Sequence, residues 1–162
     1  MYKIMNKSRE NKNKGMTLFE VIGVVAIVGV MASIAALSFS NFHSGQSLPN
    51  TVDEVTSLLD QARSRTLAGD SGIQYGVHIQ NDRAIFFSGG TYSSTSTTNI
   101  TMLFDSLITI ASTTLQGGGS EIIFNKLTGE TNQYGSFIIK KTSTSNGQKT
   151  ITVSKTGLVS SN

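Results

Sequence analysis

Three features of the chain predict an α+β fold: a long apolar stretch near the N-terminus, a helical period directly after it, and a change to period two for the remainder. The expected architecture is one long N-terminal helix, membrane-spanning in its first half and amphipathic in its second, packed on an antiparallel β-sheet domain. From Leu18 to Phe39 the only ionisable side chain is Glu20. At about 1.5 Å per residue this stretch reaches about 33 Å as a helix, enough to cross a hydrocarbon core of about 30 Å.

Helical spacing resumes in Val52, Val55, Leu58, Leu59 and Ala62. Between the two helical signals, Ser44-Gly45-Gln46-Ser47-Leu48-Pro49 combines turn formers with the single proline of the chain, which predicts a break or kink there. Asn50 or Thr51 is expected to cap the second segment, with Thr51-Val52-Asp53-Glu54 reading as a capping box. Gly69 is placed to end it. Asp60 and Arg63, three apart on the outer face, read as a solvated ion pair, and neither Arg63 nor Arg65 is assigned any chemistry.

Beyond Gly69, Ile73, Tyr75, Val77 and Ile79 alternate with polar residues. Asn81-Asp82 can turn the chain into Arg83-Ala84-Ile85-Phe86-Phe87, giving a β-hairpin. Ser88 to Asn99 is a Ser/Thr/Gly tract with little to bury and reads as an exposed loop. Further strands are expected at Ile100–Phe104, Leu107–Ala111, Glu121–Phe124, Ser136–Thr142 and Lys149–Ser154, the last two joined through Asn146-Gly147. The residues beyond Gly45 suffice for one small domain. The chain has no cysteine, so that domain is held by its core and by neighbours, not by disulfides.

The basic character of the chain is local. Lys3, Lys7, Arg9, Lys12 and Lys14 against Glu10 give the first fifteen residues a net charge of +4, whereas the whole chain carries +3. The remainder is therefore −1, and bulk charge gives no reason to expect nucleic-acid binding. Positive charge before an apolar span keeps the N-terminus in the cytoplasm and sends the C-terminal domain across the membrane.

A lone carboxylate in a bilayer-length segment costs about 2.5–3.5 kcal/mol at mid-membrane, so Glu20 requires a partner. Cleavage between Gly15 and Met16 would create one, an α-amino group four residues and one helical turn before Glu20. A basic leader ending in Gly, then hydrophobic-Thr-Leu-x-Glu before an apolar helix, resembles the prepilins of type IV pili and type II secretion over about residues 10–40. Met16 stands where that family usually has Phe. The resemblance implies cleavage by a prepilin peptidase and N-methylation at Gly15 and Met16, and filament assembly through Glu20.

Leu58-Leu59-Asp60-Gln61-Ala62-Arg63-Ser64, Ile122-Ile123-Phe124-Asn125-Lys126-Leu127-Thr128-Gly129 and Thr150-Ile151-Thr152-Val153-Ser154-Lys155-Thr156-Gly157 further resemble the H-type pseudopilins, the GspH/FimT group. The group often has Arg after the final glycine, where this chain has Leu158. That departure weighs against the DNA binding attributed to some FimT-like minor pilins. The usual pilin proline near the middle of the apolar helix is also missing, Leu37 standing about there.

No enzyme is expected. Gly69-Asp70-Ser71-Gly72 resembles the nucleophile signature of chymotrypsin-like proteases, but Ile73 and Gln74 replace its continuation. His43 and His78 have no metal-site spacing, so neither a metal nor another cofactor is expected. The Gly-rich segments lack the Gly-Lys-Ser/Thr ending of a phosphate loop. Asn99-Ile100-Thr101 matches a glycosylation sequon and is given no role.

The resulting organisation is a leader over 1–15, a transmembrane and assembly helix over 16–44, and a pilin-like periplasmic or extracellular domain over 45–162. The expected protein is a minor pilin or H-type pseudopilin of a type II secretion pseudopilus or type IV pilus-like filament. It is held first in the bacterial inner membrane. Its expected partners are a prepilin peptidase, other pilins or pseudopilins, an inner-membrane assembly platform, and lipid before assembly. Two alternatives remain open. One is a competence-type minor pilin that binds DNA, for which Lys140, Lys141, Lys149 and Lys155 are the candidates, although they read equally as a solvated edge. The other is a membrane-anchored binding module using the Ser/Thr loop. A signal peptide cut after Ala35 is the rival for the apolar segment.

Overall fold

The structure, a computed structural model, describes residues 15–69, 72–142 and 147–162, without the side chains of residues 36–45. The expected leader before Gly15, the side chain of His43, Asp70-Ser71 and Asn146 lie outside these. The chain divides into two compact units between Asn41 and Phe42.

Helix α1 runs from Leu18 to Leu67, 50 residues. In the first unit, Leu18–Ala35 is long and apolar enough to cross a membrane, and none of it is buried within the chain. Val21, Ile22, Val24, Val25, Ile27, Val28, Val30, Met31 and Ile34 are all exposed. Apolar residues on every side of a helix require surroundings that are apolar on every side.

The second unit contains the rest of α1, and here the expected break is not found: residues 44–49 are helical and Pro49 lies inside the helix. Proline removes one backbone donor from the helix interior and its ring crowds the preceding turn. Burial outweighs that cost, because Leu48 and Val52, on either side of Pro49, both enter the core with Val55, Leu59 and Ala62. Without a break there is no second N-terminus to cap. Thr51, the expected cap residue, instead donates its hydroxyl to the Ser47 carbonyl at 2.9 Å. At the other end Gly69 does terminate the helix, at φ +67° with its N–H on the Thr66 carbonyl.

The expected antiparallel β-sheet domain completes the unit, as two four-stranded sheets. The first is formed by β1 (Tyr75–Ile79), β2 (Arg83–Ser88), β3 (Ile100–Leu103) and β5 (Glu121–Ile123), in the order β3-β2-β1-β5. The second is formed by β4 (Ile108–Leu115), β6 (Gly135–Lys141), β7 (Gln148–Val153) and β8 (Val159–Ser161), in the order β4-β6-β7-β8. β1 and β2 make the expected hairpin, with Tyr75 opposite Ser88 and Ile79 opposite Ala84. β8 was not anticipated. A turn closed by Gly157 N–H on the Ser154 carbonyl returns the chain along β7.

One core joins helix and both sheets. Val55, Leu59 and Ala62 meet Val77, Phe86, Ile122 and Phe124 of the first sheet and its flank, and Phe137, Ile139, Ile151 and Val153 of the second. The outer face of the first sheet is covered too. Gly76 lies so close to the Phe87 ring and the Ile122 carbonyl that a Cβ there would come within 2.7 Å of both. The Ser/Thr loop places Tyr92 edge-on against Phe87 and stacked on His78, with ring centroids 5.7 and 4.1 Å away.

Candidate assembly site at the N-terminal helix

The site begins with the chemistry of a helix start. Thr17 immediately precedes α1, and its hydroxyl oxygen accepts the Glu20 N–H at 3.3 Å. Thr17 is thus the N-cap and Glu20 the third helical residue, the two outer positions of a capping box. The Thr-Leu-Phe-Glu spacing carried this signal, but sequence reading assigned Glu20 and passed over Thr17. A carboxylate in the first turn also faces the positive end of the helix dipole.

Met16 and Glu20 line one shallow groove of about 180 Å³ with Val21, Val24 and Val25. Both therefore lie on one side of the helix start, the arrangement that would let an α-amino group at residue 16 reach the carboxylate. Gly15, immediately before, has open space around its Cα.

The remaining charged residues are arranged differently from expectation. Among the described residues no ion pair joins Asp60 to Arg63. Arg63 instead donates to the Gly129 carbonyl at 3.2 Å and the Thr156 carbonyl at 3.4 Å. It ties the helix to two turns, so that one residue from each of the three segments that carry the H-type resemblance meets here. Gly157 completes this corner at φ +78°, where a Cβ would lie 1.9 Å from the Gly129 carbonyl oxygen. Arg65 lies over the Phe86 ring, 5.2 Å from its centroid.

The lysines do not form an edge. Lys140 and Lys141 are on β6 and Lys149 on β7, both interior strands, while Lys155 sits in the turn before β8. Lys140 pairs with Gln148 and Ile139 with Lys149, so alternation along the strands puts Lys140 and Lys149 on opposite faces. His78 packs against Tyr92 with its Nδ1 3.7 Å from Glu121 Oε1 and without a hydrogen bond. Burial lowers its pKa below the ordinary 6.5, and the Glu121 charge only partly offsets this. Among the described residues no cluster of three or more His, Asp or Glu could hold a metal ion.

The N-terminal segment defines the class of protein. Residues 11–36 match the prokaryotic N-terminal methylation motif. Two fimbrial proteins of Pseudomonas aeruginosa are each 38% identical to the chain over 56 residues, 35% of this chain. The match spans 36% of the length of these relatives. No solved structure matches the chain significantly. The chain is type IV prepilin-like, with an α+β pilin-like fold.

Proposed function

We propose that this chain is a structural subunit, a minor pilin or H-type pseudopilin, of a type IV pilus-like filament or type II secretion pseudopilus. The observation that carries the proposal is Glu20: the only acidic residue of the apolar segment Leu18–Ala35, which is exposed on all sides, one turn from the Gly15–Met16 junction and inside a matched methylation motif. A prepilin peptidase cuts after Gly15, the new amine at Met16 is methylated, and the apolar helix holds the subunit in the inner membrane with its domain outside. On extraction by the assembly platform, Glu20 of the entering subunit pairs with the Met16 amine of its neighbour. Apolar helix faces then replace lipid with one another. A contact repeated head to tail without closing generates a filament.

The placement of the lysines supports a structural role over a DNA-binding one, because a continuous basic face is needed to follow phosphates. The experiment is Glu20→Ala in the native host. The variant is expected to be processed and to remain in the membrane fraction while disappearing from sheared or extracted filaments. Entry into filaments at the wild-type level would overturn the proposal.

A further inference from the structure

The edges of the two sheets are protected unequally. At β5, the Ile123 N–H is taken by the Gln133 side chain, and the next residue, Phe124, forms a bridge with Thr131. At β4, the Ile110 N–H and Thr109 hydroxyl both go to the Asn81 carbonyl. β8 is only three residues long. β3, by contrast, reads Ile100-Thr101-Met102-Leu103, with no charge, proline or bulge to deter pairing, and Leu103 is 65% exposed.

The ladder parity shows which backbone groups are free. Phe104 donates to the Asp82 carbonyl at 2.9 Å, and Met102 and Ile100 stand opposite Ala84 and Phe86. Thr101 and Leu103, the alternate residues, therefore turn their N–H and C=O groups away from β2. Beside this strand runs an open groove of about 470 Å³, with Met102 on one side and Asp53, Glu54, Ser57, Leu58 and Gln61 of α1 on the other.

We propose that the β3 edge and this groove take up an extended segment of a partner protein in which an aliphatic residue is followed two positions later by lysine or arginine. An added strand meets Thr101 and Leu103 through its backbone and sends every second side chain toward α1. Its aliphatic residue covers Leu58 and Met102, and its cation meets Glu54 and Asp53. For a strand lying along the helix axis the spacing would match, with Glu54 and Leu58 about 6 Å apart along the helix and alternate strand residues about 6.6 Å apart. A second copy is a poorer occupant, since pairing β3 with β3 brings the Asp53 and Glu54 carboxylates of two helices together. This surface does not depend on the filament reading.

The test uses the full chain in lipid nanodiscs and two synthetic peptides of about seven residues, one alternating threonine with valine and lysine, the other with glutamate in place of lysine. The lysine peptide is expected to slow hydrogen exchange at the Thr101 and Leu103 amides and to bind about tenfold or more tightly than the glutamate peptide. Thr101→Pro should abolish the effect, because it removes a donor that the fold itself does not use. Asp53→Lys combined with Glu54→Lys should reverse the peptide preference, an outcome misfolding cannot imitate. Unchanged exchange, equal binding of both peptides, or pairing of β3 between copies without peptide would overturn the proposal.

Discussion

The Thr17 hydroxyl caps the Glu20 N–H before any partner arrives, and a carboxylate in the first turn favours the positive end of the helix dipole, so Glu20 has a local electrostatic role as well as the proposed assembly role. The two can be separated. Thr17→Ala removes the cap at a cost of about 1 kcal/mol of helix stability, measurable as fraying by amide exchange, while leaving the carboxylate available for assembly. Gly157→Ala places a side chain at φ +78° and against the Gly129 carbonyl. It is expected to destabilise the domain by about 2–4 kcal/mol in denaturant unfolding, combining backbone strain and overpacking. Arg63→Ala should cost about 1–3 kcal/mol through its two carbonyl contacts, and Arg63→Lys should recover only part of that, because an ammonium lacks the guanidinium fork. His78 adds a pH dependence. Its folded pKa is depressed, so the unfolded chain binds the proton more readily, and stability rises with pH. This contribution is complete above about 6.5 and is lost as the pH falls through the folded value. His78→Phe, which keeps a ring against Tyr92, should reduce the fall of the unfolding midpoint as the pH drops below about 6.5.

At the scale of elements, α1 is one helix serving two solvents. Leu59, fully buried in its second half, should cost about 2–5 kcal/mol when cut to alanine. Val28→Ala, in the exposed apolar half, should leave unfolding of the domain unchanged, since its side chain is exposed and is not among the residues of the domain core. Denaturant melts of the two variants check the contrast. Much of this was legible in the sequence: the apolar span, the Val52-Val55-Leu59-Ala62 face, the Gly69 terminus and the β1–β2 hairpin all rest on periodicity or on a residue with restricted conformations. The uninterrupted passage through Pro49 was not, because local propensity says nothing of the core contacts that Leu48 and Val52 make across it. The division into two sheets and the short β8 depend on long-range pairing, which period two alone does not specify. Arg63 read as half of an ion pair because its carbonyl partners lie far along the chain. At the N-terminal site, the proposed roles of Gly15, Met16 and Glu20 rest on their order in the sequence, whereas the cap by Thr17 needed the helix start to be located.

For the whole molecule, the two units answer different physical demands. The domain buries its own apolar surface in a core shared by helix and sheets, while Leu18–Ala35 buries none and relies on lipid or on other helices. That division, together with the methylation motif over residues 11–36, is what supports the proposal of a subunit that leaves a membrane for a filament. The proposed processing step is the most direct point of test. The N-terminus of the protein should be determined by intact mass and terminal peptide analysis in cells with and without the prepilin peptidase. The account predicts a start at Met16, methylated, that is lost when the peptidase is absent; a start at Ala36, or an N-terminus indifferent to the peptidase, would contradict it.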